Sequence, residues 1–172
     1  MHMIRNTRSL TVAAMLLAVS VILSFLKVPV TNLIEIRFNS LPIAISGYLF
    51  GPVMGGIVGM LADILGYIVK PTGPFFPGFT ISSAVTGIIY GCLLWKKDIT
   101  LIRLALAEAL QTIIVSMYLN SLFLSILYGN GFMVVLSARI VKSLVMYPVN
   151  LMLLFSIMKP LAHIGRDTIA VG

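Results

Sequence analysis

The sequence predicts an all-α integral membrane protein, a bundle of six transmembrane helices that forms a single domain over residues 1–172. Composition is the first reason, because 59% of the 172 residues are hydrophobic and 10% are charged, with a mean hydropathy of +1.08. Soluble domains carry about 25% charged residues. Spacing is the second reason, because the apolar residues form runs close to the roughly 20 residues that a helix needs to cross a bilayer.

Six apolar runs predict the six helices. They cover about 10–26, 40–49, 53–69, 81–94, 101–128 and 133–158. The run 40–49 is too short to span a bilayer as a straight helix, and Phe50-Gly51-Pro52 predicts a break after it. The alternative is that both runs belong to one long interrupted helix, which would leave an odd number of spans.

The stretch 41–83 contains the two most unusual local patterns. Glycines repeat every four residues through apolar sequence, which in one helix makes a smooth stripe for close backbone packing: Gly47, Gly51, Gly55 and Gly59. After it comes the segment 71–80, PTGPFFPGFT, whose three prolines predict that it is not helical. Phe75, Phe76 and Phe79 make this turn a stacking platform or lid for a planar ring, or else an anchor in lipid headgroups.

Lysine and arginine in the short loops predict the orientation. One side carries seven of them and the other carries three, namely Arg5, Arg8, Lys96, Lys97, Arg103, Lys159 and Arg166 against Lys27, Arg37 and Lys70. The richer side is expected to be cytoplasmic, so both termini face the cytoplasm of a multi-pass plasma-membrane protein. The formal charge of +7 does not indicate nucleic-acid binding, because the basic residues are scattered among apolar helices.

Four charged residues lie at membrane depth, where ionised groups are costly and are usually kept for a partner or a ligand. They are Asp63, Glu108, Arg139 and Lys142. Arg139 and Lys142 are three residues apart on one helical face in the outer half of the bundle, which favours an anion with two carboxylates. The alternative is a salt bridge to Asp63 or Glu108. For Glu108 itself, pairing with Arg103 or Gln111, or capping a contact with a partner, is expected rather than substrate contact.

A polar stripe follows the fifth run. Glu108, Thr112, Ser116 and Asn120 recur every four residues, so they are expected to face the bundle interior. Asn120 lies at the outer end, where its amide can hydrogen-bond the edge of a heterocycle, whereas bonds between helices explain Thr112 and Ser116 equally well. Asn150 continues the cationic face of the last helix.

Signals for catalysis are missing. The sequence contains no HExxH, GxSxG or Walker lysine motif. It has a single cysteine, and its histidines occur only in the tails. We therefore expect no enzyme, no catalytic residue, no metal and no cofactor. A structural membrane scaffold remains an alternative, although it would not need a polar interior.

The chain resembles the substrate-binding S components of energy-coupling factor (ECF) vitamin transporters. The resemblance lies in Glu35-Ile36-Arg37-Phe38, Leu41-Pro42-Ile43, Gly47-Tyr48-Leu49-Phe50-Gly51-Pro52, Gly59 with Asp63, and Gly73-Pro74-Phe75-Phe76-Pro77-Gly78-Phe79-Thr80. The last of these motifs, together with Arg139 and Lys142, is similar to the folate-specific branch. Other branches, for riboflavin, pantothenate or a thiamine precursor, share the leucine-proline and glycine-proline elements and remain alternatives.

The resemblance implies a function and a set of contacts. It implies high-affinity capture of folate or a related pterin from outside, and inward delivery together with a transmembrane coupling subunit and two ATPase subunits. It places the contact with the coupling subunit at Ala14 and Ala18 on the first helix. The candidate substrate-binding residues are Arg37, Phe38, Asp63, Phe75, Phe76, Pro77, Gly78, Phe79, Thr80, Asn120, Arg139, Lys142 and Asn150.

Overall fold

Helices make up most of the chain, as the apolar composition predicts. The computed structural model describes residues 7–25, 28–31, 34–36, 38–71, 74–129 and 131–168. Its elements in chain order are α1 (Thr7–Phe25), β1 (Val28–Thr31), β2 (Ile34–Ile36), α2 (Ser40–Val69), α3 (Pro77–Leu94), α4 (Leu101–Leu110), a π-helical segment (Gln111–Leu119), α5 (Asn120–Tyr128) and α6 (Phe132–Thr168). The predicted helical class is therefore confirmed, with a small two-stranded hairpin in addition.

Four of these helices are long and apolar enough to cross a membrane, counting α4, the π-helical segment and α5 as one continuous helix. They cover Ser40–Val69, Pro77–Leu94, Leu101–Tyr128 and Phe132–Leu161, while α1 contains a shorter apolar stretch, Ser9–Phe25. Among the residues that the structure describes there are five continuous helices rather than the predicted six, because α2 joins two predicted runs.

Helix α2 bends back on itself at Gly51. This residue has φ 86° and ψ −178°, which is non-helical and easily reached only by glycine, and Pro52 follows it. In a straight helix Gly47 and Gly55 would lie roughly 12 Å apart, yet a Cβ placed on Gly55 would be 2.8 Å from the Cα of Gly47. The two limbs, 40–50 and 52–69, therefore form a helical hairpin, and the predicted break is where the chain turns.

The glycine stripe brings this hairpin against α3 with almost no space between the backbones. A Cβ on Gly47 would lie 2.9 Å from the carbonyl oxygen of Gly87, and one on Gly55 would lie 2.7 Å from the same atom. The expectation of a single straight stripe was wrong, because Gly51 divides it between the two limbs. The close packing was expected correctly, and it places Asp63 on the limb beside α3.

Helix α3 begins earlier than the sequence predicts. Its first residue is Pro77 rather than a residue near 81, so the prediction that the whole segment 71–80 is non-helical was wrong for its last four residues. Proline is favoured in the first turn of a helix, since its fixed φ is already helical and its missing N–H has no partner there. The earlier start places Phe79 and Thr80 on the first turn of α3.

The segment 27–39, between the first two predicted helices, contains a β-hairpin that the sequence did not predict. Strands β1 and β2 pair antiparallel, with Val28 opposite Ile36 and Pro29 opposite Glu35. The hairpin follows directly after α1. At the end of α1, the Lys70 ammonium, just after α2, donates a hydrogen bond to the Phe25 carbonyl oxygen at 3.0 Å. The hairpin therefore lies at the same end of the bundle as the aromatic turn.

The hydrophobic core lies away from that end. Leu94 of α3, Leu104 of α4, and Leu154 and Met158 of α6 are almost fully buried in one cluster. A second cluster joins Ala13 of α1 to α2. A cavity occupies the loop end of the bundle, where α3 and α6 begin and α5 ends.

Candidate functional site

One large cavity opens among α2, α3, the π-helical segment, α5 and α6. The space between its walls, counting the open solvent at its mouth, is about 1500 Å³. Its walls combine the beginning and end of α2, the aromatic turn, the first half of α3 and the first half of α6. In the part of the chain that the structure describes, α1 and α4 contribute no lining residue.

Eight of the thirteen residues predicted to bind substrate line this cavity. They are Asp63, Phe75, Phe76, Phe79, Asn120, Arg139, Lys142 and Asn150. These residues come from four helices and from the turn before α3, so the fold brings together residues that are far apart in the sequence. Their contact with a ligand stays a prediction.

The other five predicted residues do not line the cavity or are not described. Phe38 packs against the hydrophobic core that contains Leu41, because the chain turns inward just before α2. Thr80 is buried and donates a hydrogen bond at 3.0 Å to Oδ2 of Asp63, so it holds a lining side chain from behind. Pro77 occupies the first helical turn of α3. Gly78 is buried beneath the aromatic turn, and Arg37 lies outside the described residues.

Two cations form one wall of the cavity. Arg139 is 7% exposed and Lys142 is half-buried, both on the first part of α6. They lie roughly 16 Å and 12 Å along the helix from Asn150, which is at the opposite end of the cavity's α6 wall. The cavity therefore has a cationic region near the loop end and an amide-lined region deeper in the bundle.

Aromatic rings form another part of the wall, and a further ring that was not predicted packs against them. Phe76 and Phe79 are 5.9 Å apart between ring centroids, and Phe123 of α5 lies 5.5 Å from Phe76 and 6.4 Å from Phe79. Gly78 allows this cluster, since a Cβ there would lie 2.7 Å from the ring of Phe123. Phe123 does not line the cavity itself but supports two rings that do. It was hidden in an apolar run, where sequence cannot distinguish a ring that packs against the wall of a site from one that faces lipid.

The deep end of the cavity is backed by a buried hydrogen-bond network. Glu108 is 1% exposed and accepts hydrogen bonds from the Tyr90 hydroxyl and, at 3.1 Å, from Nδ2 of Asn150. The expected pairing with Arg103 or Gln111 was wrong. The Arg103 guanidinium donates to the Asp98 carbonyl oxygen at 3.1 Å, and Tyr90 was missed although a fully buried carboxylate requires donors.

The polar stripe faces the cavity along the π-helical segment. Thr112, Ser116 and Asn120 all line it, and Gln111 joins them. Steps of four residues overshoot one turn of an α-helix, which has 3.6 residues per turn. The wider turns of a π-helix reduce that drift and keep these side chains on one side. Ser116 also lies 3.5 Å from Ser143 of α6, oxygen to oxygen.

Several lining residues carry buried polar atoms that need partners. Within the described residues, Oδ1 of Asn39, Oγ of Ser82, Oδ1 of Asn120 and Oδ1 of Asn150 make no hydrogen bond. Buried polar atoms in native proteins are nearly always satisfied. The cavity is therefore suited to a ligand with hydrogen-bonding groups along its edges. No cluster of three or more histidine, cysteine or carboxylate side chains suited to a metal occurs among the described residues.

Comparison with known proteins decides the family. The model for the substrate-specific component of ECF transporters matches residues 8–158. The chain belongs to this family. It is therefore a multi-pass membrane protein and a transport subunit rather than an enzyme, which confirms the resemblance seen in the sequence motifs.

Individual members of the family resemble the chain closely. The folate transporter FolT of Clostridium novyi is 37% identical over 129 residues, 75% of each chain. FolT of Leuconostoc mesenteroides is 28% identical over 151 residues, 84% of this chain and 81% of the relative. Among solved structures, a crystal structure of FolT bound with folic acid has a TM-score of 0.80 and 31% sequence identity, covering 87% of this chain and 92% of that one.

Proposed function

We propose that this ECF substrate-specific component captures folate from outside the cell and delivers it inward as part of an importer. The observation that carries the proposal is the cavity, in which a cationic region, an aromatic wall and a deep amide-lined end are arranged in one continuous space. The likeness to FolT chains, one of them solved with folic acid, supports the same ligand.

Folate has chemical groups that match these three regions. Its glutamate tail carries two carboxylates, for which Arg139 and Lys142 are suitable charge-assisted hydrogen-bond donors. Its pterin is flat and can stack on Phe76 or Phe79. The hydrogen-bonding edge of the pterin then meets the deep end near Asn150. This orientation, with the tail toward the loop end and the ring inside, is part of the proposal.

We propose six membrane segments, with the two limbs of α2 counted separately. The limbs run in opposite directions, because a Cβ on Gly66, near the end of the second limb, would lie 3.7 Å from Nδ2 of Asn39, which precedes the first. An even number of segments puts both termini on one side. The excess of lysine and arginine makes that side cytoplasmic, so the cavity mouth faces outside.

The coupling partner is proposed to dock on α1. Ala14 and Ala18 are exposed on this helix, together with the large apolar side chains of Met15 and Ile22, which are 63% and 62% exposed. Small residues one turn apart allow another helix to approach closely. Because the chain belongs to the ECF family, we propose that this approaching helix is part of a transmembrane coupling subunit. Two ATPase subunits would supply the energy.

An uptake assay tests substrate and partner together. Cells without folate uptake of their own should accumulate labelled folic acid when they express this chain with a coupling module, and not when either is absent. Changing Ala14→Leu and Ala18→Leu together should reduce uptake at least tenfold, because the added side chains hold the docking helix away. Folate binding by the purified double variant should not change, since neither alanine lines the cavity.

The matched control is Met15→Leu, a volume-conserving change on the same exposed helix, which should retain uptake. Loss of folate binding in the variant with Ala14→Leu and Ala18→Leu would show that these changes damage the fold, and it would count against docking at this face. Uptake of riboflavin, pantothenate or a thiamine precursor in place of folate would overturn the assigned substrate while keeping the transport role.

A further inference from the structure

The carboxylate of Glu108 lies behind the cavity wall and is hydrogen-bonded to a side chain in that wall, Asn150. Asn150 lines the cavity, whereas Glu108 and Tyr90 do not. Glu108 is 1% exposed and Tyr90 is fully buried, so neither can meet a ligand directly. Their connection to the cavity runs through the hydrogen bond from Nδ2 of Asn150 to Oε1 of Glu108, at 3.1 Å.

This connection fixes the orientation of the Asn150 amide. Oε1 of Glu108 accepts this hydrogen bond, whereas an amide presents a donor on one side and an acceptor on the other. Glu108 therefore selects the donor side of Asn150 and turns Oδ1 away from itself. That Oδ1 is buried and accepts no hydrogen bond from the described residues.

The Glu108 carboxylate is itself held in place. The Tyr90 hydroxyl donates to its second oxygen, Oε2, from α3. Three helical elements, α3, α4 and α6, thus meet in one network at the deep end of the cavity. Buried polar networks become rigid when every polar atom in them is paired, and here Oδ1 of Asn150 is the atom that still needs a partner.

We propose that Glu108 is a positioning residue for ligand recognition, which holds Asn150 so that Oδ1 accepts a hydrogen bond from an N–H group on the ring edge of the ligand. Tyr90 assists by holding Glu108. The inference rests on the proposed function, because the ligand edge in question is that of the pterin of folate. It adds that specificity at the deep end depends on two residues that the ligand never touches.

A double-mutant cycle tests the proposal on the full-length protein in detergent, with the dissociation constant for folic acid as readout. Glu108→Gln should weaken binding about tenfold, because an amide can offer a donor to Asn150 and reverse its orientation. Asn150→Ala should weaken binding by a similar factor. The double variant should bind no more weakly than Asn150→Ala alone, since Glu108 acts only through Asn150.

Lys142→Ala provides the control for additivity. Lys142 lies roughly 12 Å along α6 from Asn150, so its effect should multiply with that of Glu108→Gln. If Glu108→Gln proves unstable, Tyr90→Phe takes its place, with an expected weakening of about threefold that also disappears in the Asn150→Ala background.

Two results would overturn the inference alone. One is a Glu108→Gln protein that is folded and binds folic acid as tightly as the wild type. The other is a double variant whose loss is the product of the single losses, which would indicate a general structural role. Failure of the folded wild-type chain to bind folic acid would overturn the proposed function, and this inference with it.

Discussion

Removing both cations of α6 should nearly abolish folate binding. Charge-assisted hydrogen bonds contribute about 1.5–3 kcal/mol each, and each 1.4 kcal/mol is a factor of ten in affinity. Arg139→Ala and Lys142→Ala are each expected to raise the dissociation constant at least tenfold, and the double variant at least a hundredfold. The measurement is a titration of purified protein with folic acid.

The control for this prediction is another lysine on the same helix. Lys159 is exposed outside the cavity, with its ammonium 5.2 Å from the centre of the Phe155 ring, so Lys159→Ala should bind folic acid normally. A pterin ligand that lacks the whole aminobenzoyl-glutamate tail should lose little affinity in the double variant, because it has no carboxylates at that end. Unchanged folate affinity in both single variants would refute the role of this wall.

A side chain at Gly87 should separate the α2 hairpin from α3. A Cβ on Gly87 would overlap the backbone of Gly55, and backbone atoms cannot move aside as a flexible side chain can. Overpacking costs about 1–3 kcal/mol even where side chains can adjust. At about 2–4 °C per kcal/mol for a chain of this size, Gly87→Val should lower the melting temperature by about 10 °C.

Gly131→Ala is the comparison for this prediction. A Cβ there would meet only Cγ2 of Val134 at 3.9 Å, an ordinary contact, so the melting temperature should stay within about 2 °C of the wild type. A Gly87→Val protein with the wild-type melting temperature would show that the close helix approach is not needed for stability.

Hydropathy and isolated polar residues were the informative features of the sequence. In an apolar chain each polar residue at membrane depth is costly, so Asp63, Asn120, Arg139 and Lys142 stood out from their surroundings, and all four line the cavity. The broken motif at Gly51 was also visible, because glycine followed by proline interrupts a helix.

Other features depend on contacts that only the folded chain reveals. Tyr90 and Phe123 lie in apolar runs whose composition is the same whether a residue faces lipid, core or ligand. The π-helical segment gives no local signal, and the partner of Glu108 depended on the packing of α3 and α6 against α4. Phe38 was predicted to bind substrate but packs against the hydrophobic core. Its place in a recognisable motif does not show the direction of its ring.

Recovery of the natural ligand tests the central claim most directly. The protein would be purified in detergent from cells grown with folate, then denatured, and the absorbance and mass of any released small molecule recorded. We predict one pterin-glutamate for each protein chain. A folded protein that releases none and also fails to bind added folic acid would contradict the assignment of this cavity to folate.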